Sequence, residues 1–344
     1  MTGTKNLVHG VISSAAILLY LSWAAAVTPA AETQTTFAGK TIKVIVPVAA
    51  GGGLDIQSRT LAPLLQAQLP GKPNVIVQNT AGAGGIVAGN LFMRETGQDL
   101  TILQCHIGFP LYQLLGQEIK YDVHRWHFLG GTKREFMPIL QRTELPYNSI
   151  SEWTQAKNPI TWSADTLGST VENPARIMRA AGARIKLVSG YPGGTARLLA
   201  VLRGEADATP EVLATAKPHL DAGKLKVVGR LMPAPIPGYA DAPYVLRAFP
   251  FTDEQKILYG VAEAPLHLQT CWLLREETPK NLIQTLRDAV KRAITSTEYD
   301  TAMDKVQLGG DYMTPEEIQD KFIKPQLGIP VELQEKFKKM ALAE

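Results

Sequence analysis

From Lys40 to Glu95 the apolar positions form the same unit twice: a short continuous run, a glycine-rich turn, then residues with helical spacing. Val44-Ile45-Val46 leads into Ala49-Ala50-Gly51-Gly52-Gly53-Leu54-Asp55, and Val75-Ile76-Val77 leads into Asn79-Thr80-Ala81-Gly82-Ala83-Gly84-Gly85. Continuous apolar runs of this length bounded by turn residues predict strands. Leu100–Gln104 predicts a third strand, after which the pattern loosens through residues 107–142. A second series begins at the strand 160–163, followed by a polar turn, 164–168. Ser169-Thr170-Val171-Glu172 has the form of a capping box opening a helix to Ala181. Strands follow at 185–189, 206–209 and 225–228, with helices at 195–203 and 211–220, and then the proline-broken stretch 233–250. Strands are predicted at 257–261 and 270–274, and helices at 279–294, from Thr314 onward and at 331–342. Strands alternating with helices predict an α/β fold with parallel-rich sheets flanked by helices.

The two glycine turns carry the chemistry. Glycine admits positive φ and lets another molecule approach the main chain. A turn that opens a helix aims unpaired N–H groups at one point, where the helix dipole favours negative charge. Two such turns at the carboxyl ends of parallel strands suit a small carboxylate that is held and not transformed. The plainer alternative is a pair of ordinary strand-to-helix turns with Asp55 as a cap. A dinucleotide fingerprint is not met, because Val87 occupies the third glycine position after Gly82 and Gly84.

Residues 1–31 have the layout of an export signal. Lys5 precedes the apolar run Val11–Val27, and small residues at Ala24, Ala26, Ala30 and Ala31 suit cleavage. The run is short for a spanning anchor. Export to a periplasm follows. The remaining length predicts two domains. The chain of 344 residues carries a formal charge of +3 with its basic residues scattered, which gives no support to a nucleic-acid partner. Cys105 and Cys271 can be read as a disulfide or as two small buried side chains. No cysteine–histidine cluster has metal-ligand spacing, so no metal and no cofactor is expected. No nucleophile elbow or zinc-protease motif occurs and the six histidines have no motif spacing, so an enzyme is not expected.

These motifs resemble those of the tripartite tricarboxylate transporter receptors, the Bug or TctC-like solute-binding proteins. Pro47 to Asp55 matches that family's P-x-x-x-G-G-x-x-D, and Asn79 to Gly85 its N-x-x-G-A-G-G. Gly168-Ser169, Tyr191-Pro192-Gly193 and Gly204 to Asp207 match its later turns in order. The resemblance implies a two-domain periplasmic binding protein fold of type II with the ligand cleft between domains. Domain 1 would span 37–104 plus 260–344 and domain 2 would span 105–259, with two crossovers. It also implies a monomer that passes its ligand to membrane permease subunits, or a sensing protein that uses the same closure. The ligand-binding residues would be Ala50, Gly51, Gly52, Gly53 and Asp55 in the first turn, and Asn79, Gly82, Ala83, Gly84 and Gly85 in the second. Asp165, Gly168, Ser169, Tyr191 and Gly193 would face them from the other domain.

Two residues bear on ligand identity. Glu172 would either complete the capping box with Ser169 or face the ligand and repel a second carboxylate. Trp162 and Tyr191 stand at strand ends, which suggests an aromatic ligand body, with a core position for Trp162 as the alternative. The cysteines are expected near the two crossovers, at Cys105 and Cys271.

Overall fold

A computed structural model describes residues 1–2, 37–95, 100–165, 167–191, 193–306 and 308–343. The export signal expected at 1–31 lies, but for its first two residues, outside the described residues. In chain order the first elements are β1 (Thr41–Val46), α1 (Gly53–Gln68), β2 (Asn74–Asn79), α2 (Ile86–Phe92), β3 (Leu100–Gln104), α3 (Phe109–Leu114) and β4 (His127–Lys133). Next come β5 (Pro138–Arg142), β6 (Ile160–Ser163), α4 (Glu172–Ala180), β7 (Ile185–Val188), α5 (Gly194–Leu202), β8 (Ala208–Pro210), α6 (Leu213–Asp221) and β9 (Leu225–Arg230). The chain continues through α7 (Val245–Ala248), α8 (Asp253–Glu263), β10 (Leu268–Leu274), α9 (Lys280–Ile294) and α10 (Thr297–Lys305). It ends with β11 (Tyr312–Met313), α11 (Pro315–Ile318), α12 (Lys324–Leu327) and α13 (Val331–Ala341).

The strands form two sheets, one ordered β11-β4-β10-β3-β1-β2 and the other β7-β6-β8-β5-β9. Both are mixed. In the first, β1 runs parallel to β2 and β3 while β10 is antiparallel to β3 and β4; in the second, β6 runs parallel to β7 and β8 while β5 is antiparallel to β8 and β9. Alternation along a strand sends successive side chains to opposite faces. Ile42, Val44 and Val46 therefore meet Leu61 and Leu65 of α1 and Leu286 and Val290 of α9, whereas Ile45 meets Phe92, Phe109 and Phe322 on the other face. The second sheet is likewise packed on both faces. Ile160 and Trp162 join a core with Ile177 and Phe337, and Leu140 joins Leu198 and Ala216. Among the described residues no helix is long and apolar enough to cross a membrane.

The chain leaves the first sheet after Lys133, later than the expected boundary at 104/105, because β4 is hydrogen-bonded into that sheet beside β10. It returns at Leu268. The two passages run side by side: the Arg134 amide donates to the His267 carbonyl at 2.9 Å. A third passage follows α12, since α13 buries Phe337 and Ala341 in the second sheet's core. The C-terminal helix thus packs with α4 in the second sheet's core, whereas the sequence reading put it with the first sheet.

The cysteines occupy neither crossover. Both are buried and unbridged, Cys105 directly after β3 and Cys271 on the neighbouring β10, where the Cys105 amide donates to the Cys271 carbonyl at 2.7 Å. Residues 257–261, expected as a strand, lie in α8. Thr252 and Gln255 close a capping box there, with the Gln255 amide donating to Thr252 Oγ1 at 3.2 Å and the Thr252 amide to Gln255 Oε1 at 2.9 Å. That box fixes the helix start and outweighs the local β-propensity of Ile257 and Val261.

Candidate functional site

Both glycine turns sit at the carboxyl ends of neighbouring parallel strands, β1 and β2, and both are exposed from Ala50 to Gly53 and from Gly82 to Gly84. Helix α1 begins at Gly53 without a side-chain cap, which leaves its first amides open to a ligand. The second turn is a run of positive φ values, +141° at Gly82, +46° at Ala83, +61° at Gly84 and +97° at Gly85. At Gly85, a Cβ would also lie 3.2 Å from Pro47 and 3.1 Å from His106, so only glycine fits where the two turns touch.

Asp55 and Asn79, expected as ligand contacts, instead brace the two turns to each other. Asp55 is 3% exposed, and its Oδ2 accepts from the Gly51 amide at 2.8 Å and from Arg59 Nε at 3.0 Å. Asn79 Nδ2 donates to Asp55 Oδ1 at 2.9 Å and to the Val48 carbonyl at 3.1 Å, and its Oδ1 accepts from Arg59 Nη2 at 2.8 Å. The Gly51 amide is consumed in this brace, which leaves the open amides of the first turn at the start of α1.

Tyr112, on α3, connects the second glycine turn with the second sheet. A Cβ on Gly84 would lie 2.3 Å from its hydroxyl, and its ring stacks on His106 with centroids 6.1 Å apart. Burial, then the negative charge of Asp165, pushes the Tyr112 phenol up to about 12, so it is a neutral donor at ordinary pH. Burial holds the His106 imidazole down at about 4, so it too is neutral, with Nδ1 placed to accept from the Gly108 amide at 3.1 Å. Neutral donors beside open amides can bind a carboxylate without a clamp of formal charge, since hydrogen bonds to a charged group are worth about 1.5–3 kcal/mol each.

Across from them, Asp165 follows β6 and pairs with Arg197 of α5 at 2.8 Å. Burial pushes the Asp165 carboxyl up, and Arg197 opposes that shift. Arg197 also reaches Glu211, after β8, at 3.5 Å. Tyr191 and Gly193 are half-buried at the turn that enters α5, and a Cβ on Gly193 would meet only open space. Gly168 and Ser169 are not brought to this cluster. Gly168 is buried beneath Leu115 and Ala341, and Ser169 Oγ is buried without a partner.

The capping box expected of Ser169 and Glu172 does not form, and Glu172 does not face the cleft. The carboxylate turns back one residue further, accepting from the Gly168 amide at 2.7 Å, and binds Arg176 at 2.8 Å and Ser189 Oγ at 3.0 Å. Trp162 is fully buried, edge-on to Trp153 at 6.3 Å, with Nε1 donating to the Val171 carbonyl at 3.1 Å. The aromatic ligand body inferred from it loses that support. His106, Tyr112, Arg197 and Glu211 were missed by the sequence reading. For His106 a signal existed: it follows β3 at the same sheet edge that carries both glycine turns. Among the described residues no group of side chains is placed to hold a metal ion.

A model of the tripartite tricarboxylate transporter family receptor, TctC, matches residues 58–329. The chain belongs to the TctC receptor family. TctC-type chains are solute-binding receptors. A UPF0065 protein from Bordetella pertussis is 27% identical over 270 residues, covering 77% of this chain and 79% of the relative. The periplasmic binding protein BugD is similar in structure, with a TM-score of 0.65 at 21% identity over 89% of this chain and 99% of that one. MatC from Rhodopseudomonas palustris, with bound malate, has a TM-score of 0.62 at 20% identity over 89% of this chain and all, 100%, of that one. These structural likenesses establish the fold, two helix-flanked mixed sheets of the kind seen in periplasmic solute-binding proteins.

Proposed function

We propose that this chain is a periplasmic receptor that captures a small organic carboxylate between the loops of its two sheets and passes it to the membrane permease subunits of a tripartite transporter. The observation that carries this reading is the pair of exposed, uncapped glycine turns facing Tyr112 and, beyond it, the Asp165–Arg197 pair. The carboxylate would rest on the open amides of Gly53 and of the Gly82–Gly85 turn, with Tyr112 donating. The lobes built on the two sheets would act as domains that close over it, hinged at the paired passages Arg134 and His267. MatC holds malate on the same fold, which makes hydroxy- and dicarboxylates the first compounds to try. Among the described residues the acids nearest the turns, Asp55 and Asp165, are each held by an arginine, which suits binding without turnover.

The test is a thermal-shift screen of the purified mature chain against mono-, di- and aromatic carboxylates, followed by calorimetry on the hits. A ligand present at 100 times its Kd should stabilise by about 2.7 kcal/mol. If every carboxylate leaves the melting temperature unmoved while the protein is folded, the proposal fails.

A further inference from the structure

A cavity of about 630 Å³ opens at the start of α1 and extends between the two sheets, away from the second glycine turn. Its walls include Gly53, Leu308, Val212 and Leu213, which make much of it apolar. Two polar side chains on that wall have no adequate partner. Gln57, one turn into α1, is 1% exposed, and its amide nitrogen makes no hydrogen bond. A buried donor without an acceptor is costly to keep and is rarely left so in a folded protein. Arg134, on the first passage between the sheets, is half-buried, and its guanidinium makes one weak contact, to the Leu266 carbonyl at 3.5 Å.

The other charges nearby are accounted for. Lys133 pairs with Glu317 at 2.9 Å and Lys217 with Asp221 at 2.9 Å, while Glu211, the acid whose charge reaches Arg134, is already held by Arg197 and the Val212 amide. Glu135 and Asp311 also line the cavity but are exposed to solvent. Burial lowers the Arg134 guanidinium to about 10, so it remains a cation at neutral pH. A donor amide and an uncommitted cation on one apolar wall have the chemistry of a receptor for a second anionic group.

We propose that Gln57 and Arg134 form a specificity point that takes the second acidic group of an elongated dicarboxylate, the first being held at the glycine turns. This rests on the carboxylate-receptor reading above. It explains why Gln57 is left unpaired in the free protein: its partner arrives with the ligand. It also gives the arginine on the inter-sheet passage a role in closure, because a group bound there would tie the passage to α1.

The test compares linear dicarboxylates from succinate to adipate with butanoate to hexanoate, by calorimetry on the full mature chain and on Arg134→Gln and Gln57→Leu. Wild type should prefer the dicarboxylates. Each substitution should lower the ratio of dicarboxylate to monocarboxylate affinity about 10- to 100-fold, the loss of one charge-assisted hydrogen bond. Without ligand, Gln57→Leu should melt about 2 °C or more higher, because an unpaired buried amide is replaced by an apolar side chain of similar size. A structural glutamine would give a lower melting temperature. An unchanged affinity ratio with wild-type binding intact would overturn the proposal and leave the carboxylate reading standing. Absence of binding by every acid to wild type would overturn both.

Discussion

Replacing Asp55 with Asn tests whether this carboxylate is a brace or a ligand contact. The change is isosteric and removes one acceptor. Oδ2 serves the Gly51 amide at 2.8 Å and Arg59 Nε at 3.0 Å, while Oδ1 serves Asn79 at 2.9 Å. Whichever way an asparagine amide turns, its NH2 confronts one of these donors. The loss is one hydrogen bond to a charged acceptor at a 3% exposed site, about 1.5–3 kcal/mol. Arg59 is half-exposed, so its ion pair adds about 0–1 kcal/mol. Urea unfolding at pH 7 should therefore show a loss of about 2–3 kcal/mol. The sign with pH follows from the carboxyl's position. Burial opposes its charged form, but hydrogen bonds from Arg59, Gly51 and Asn79 outweigh burial and hold it below its ordinary value of 3.8. Its contribution is present above that value and disappears as pH falls through the lower folded one, so variant and wild type should converge in acid. Asn79→Ala should couple to the change by about 0.5–3 kcal/mol in a double-mutant cycle. If Asp55→Asn leaves stability within about 0.5 kcal/mol yet abolishes carboxylate binding, the brace is wrong and Asp55 is a direct contact.

Three further outcomes follow from the geometry. Gly84→Val should abolish carboxylate binding in calorimetry while leaving the far-ultraviolet circular dichroism intact, because its Cβ would lie 2.3 Å from the Tyr112 hydroxyl in an exposed turn. Thr252→Ala should cost about 1 kcal/mol in urea unfolding, the usual worth of an N-cap, by opening the box that starts α8. Against the cost of burial, the Thr314 amide, Lys133 and Lys321 hold the Glu317 carboxyl at about 2, below its ordinary 4.5. The stability this supplies is present above 4.5 and lost as pH falls from there to 2. Discounted for the side chain's 30% exposure, Glu317→Gln should be about 1–2 kcal/mol less stable than wild type at pH 7 and level with it near pH 2.

What the sequence determined by itself is mostly local. The continuous apolar runs at 44–46 and 75–77, each closed by glycines, specify strands that end in turns; which of them is buried was left to the sheet, where β1 is interior and β2 is a half-exposed edge strand. The capping box at Thr314 and Glu317 forms as its spacing requires, because both partners lie within one helical turn. Where a competing local signal was overlooked, as at Thr252 and Gln255, an apolar stretch was misread as a strand. Ser169 and Glu172 had the right spacing too, but a tertiary partner decided that case: Arg176 and Ser189 draw the carboxylate, which caps the Gly168 amide instead.

The tertiary structure alone decided which turns meet. Strand pairing put β4 into the first sheet and moved the boundary to Lys133, because hydrogen bonds between distant strands leave no mark on either strand's own pattern. Packing sent α13 back to the second sheet, since an amphipathic face specifies an apolar partner without naming which one. The same limit holds at the site. Asp55 and Asn79 were legible as important, but a carboxylate and an amide in a glycine turn can bind a ligand or bind each other, and only their 2.9 Å approach separates the two. Trp162 had two faces to choose from, and the sheet turned it inward. Gln57 and Arg134 lie 77 residues apart, and nothing in the chain's periodicity joins them. The fold brings both to the lining of one cavity.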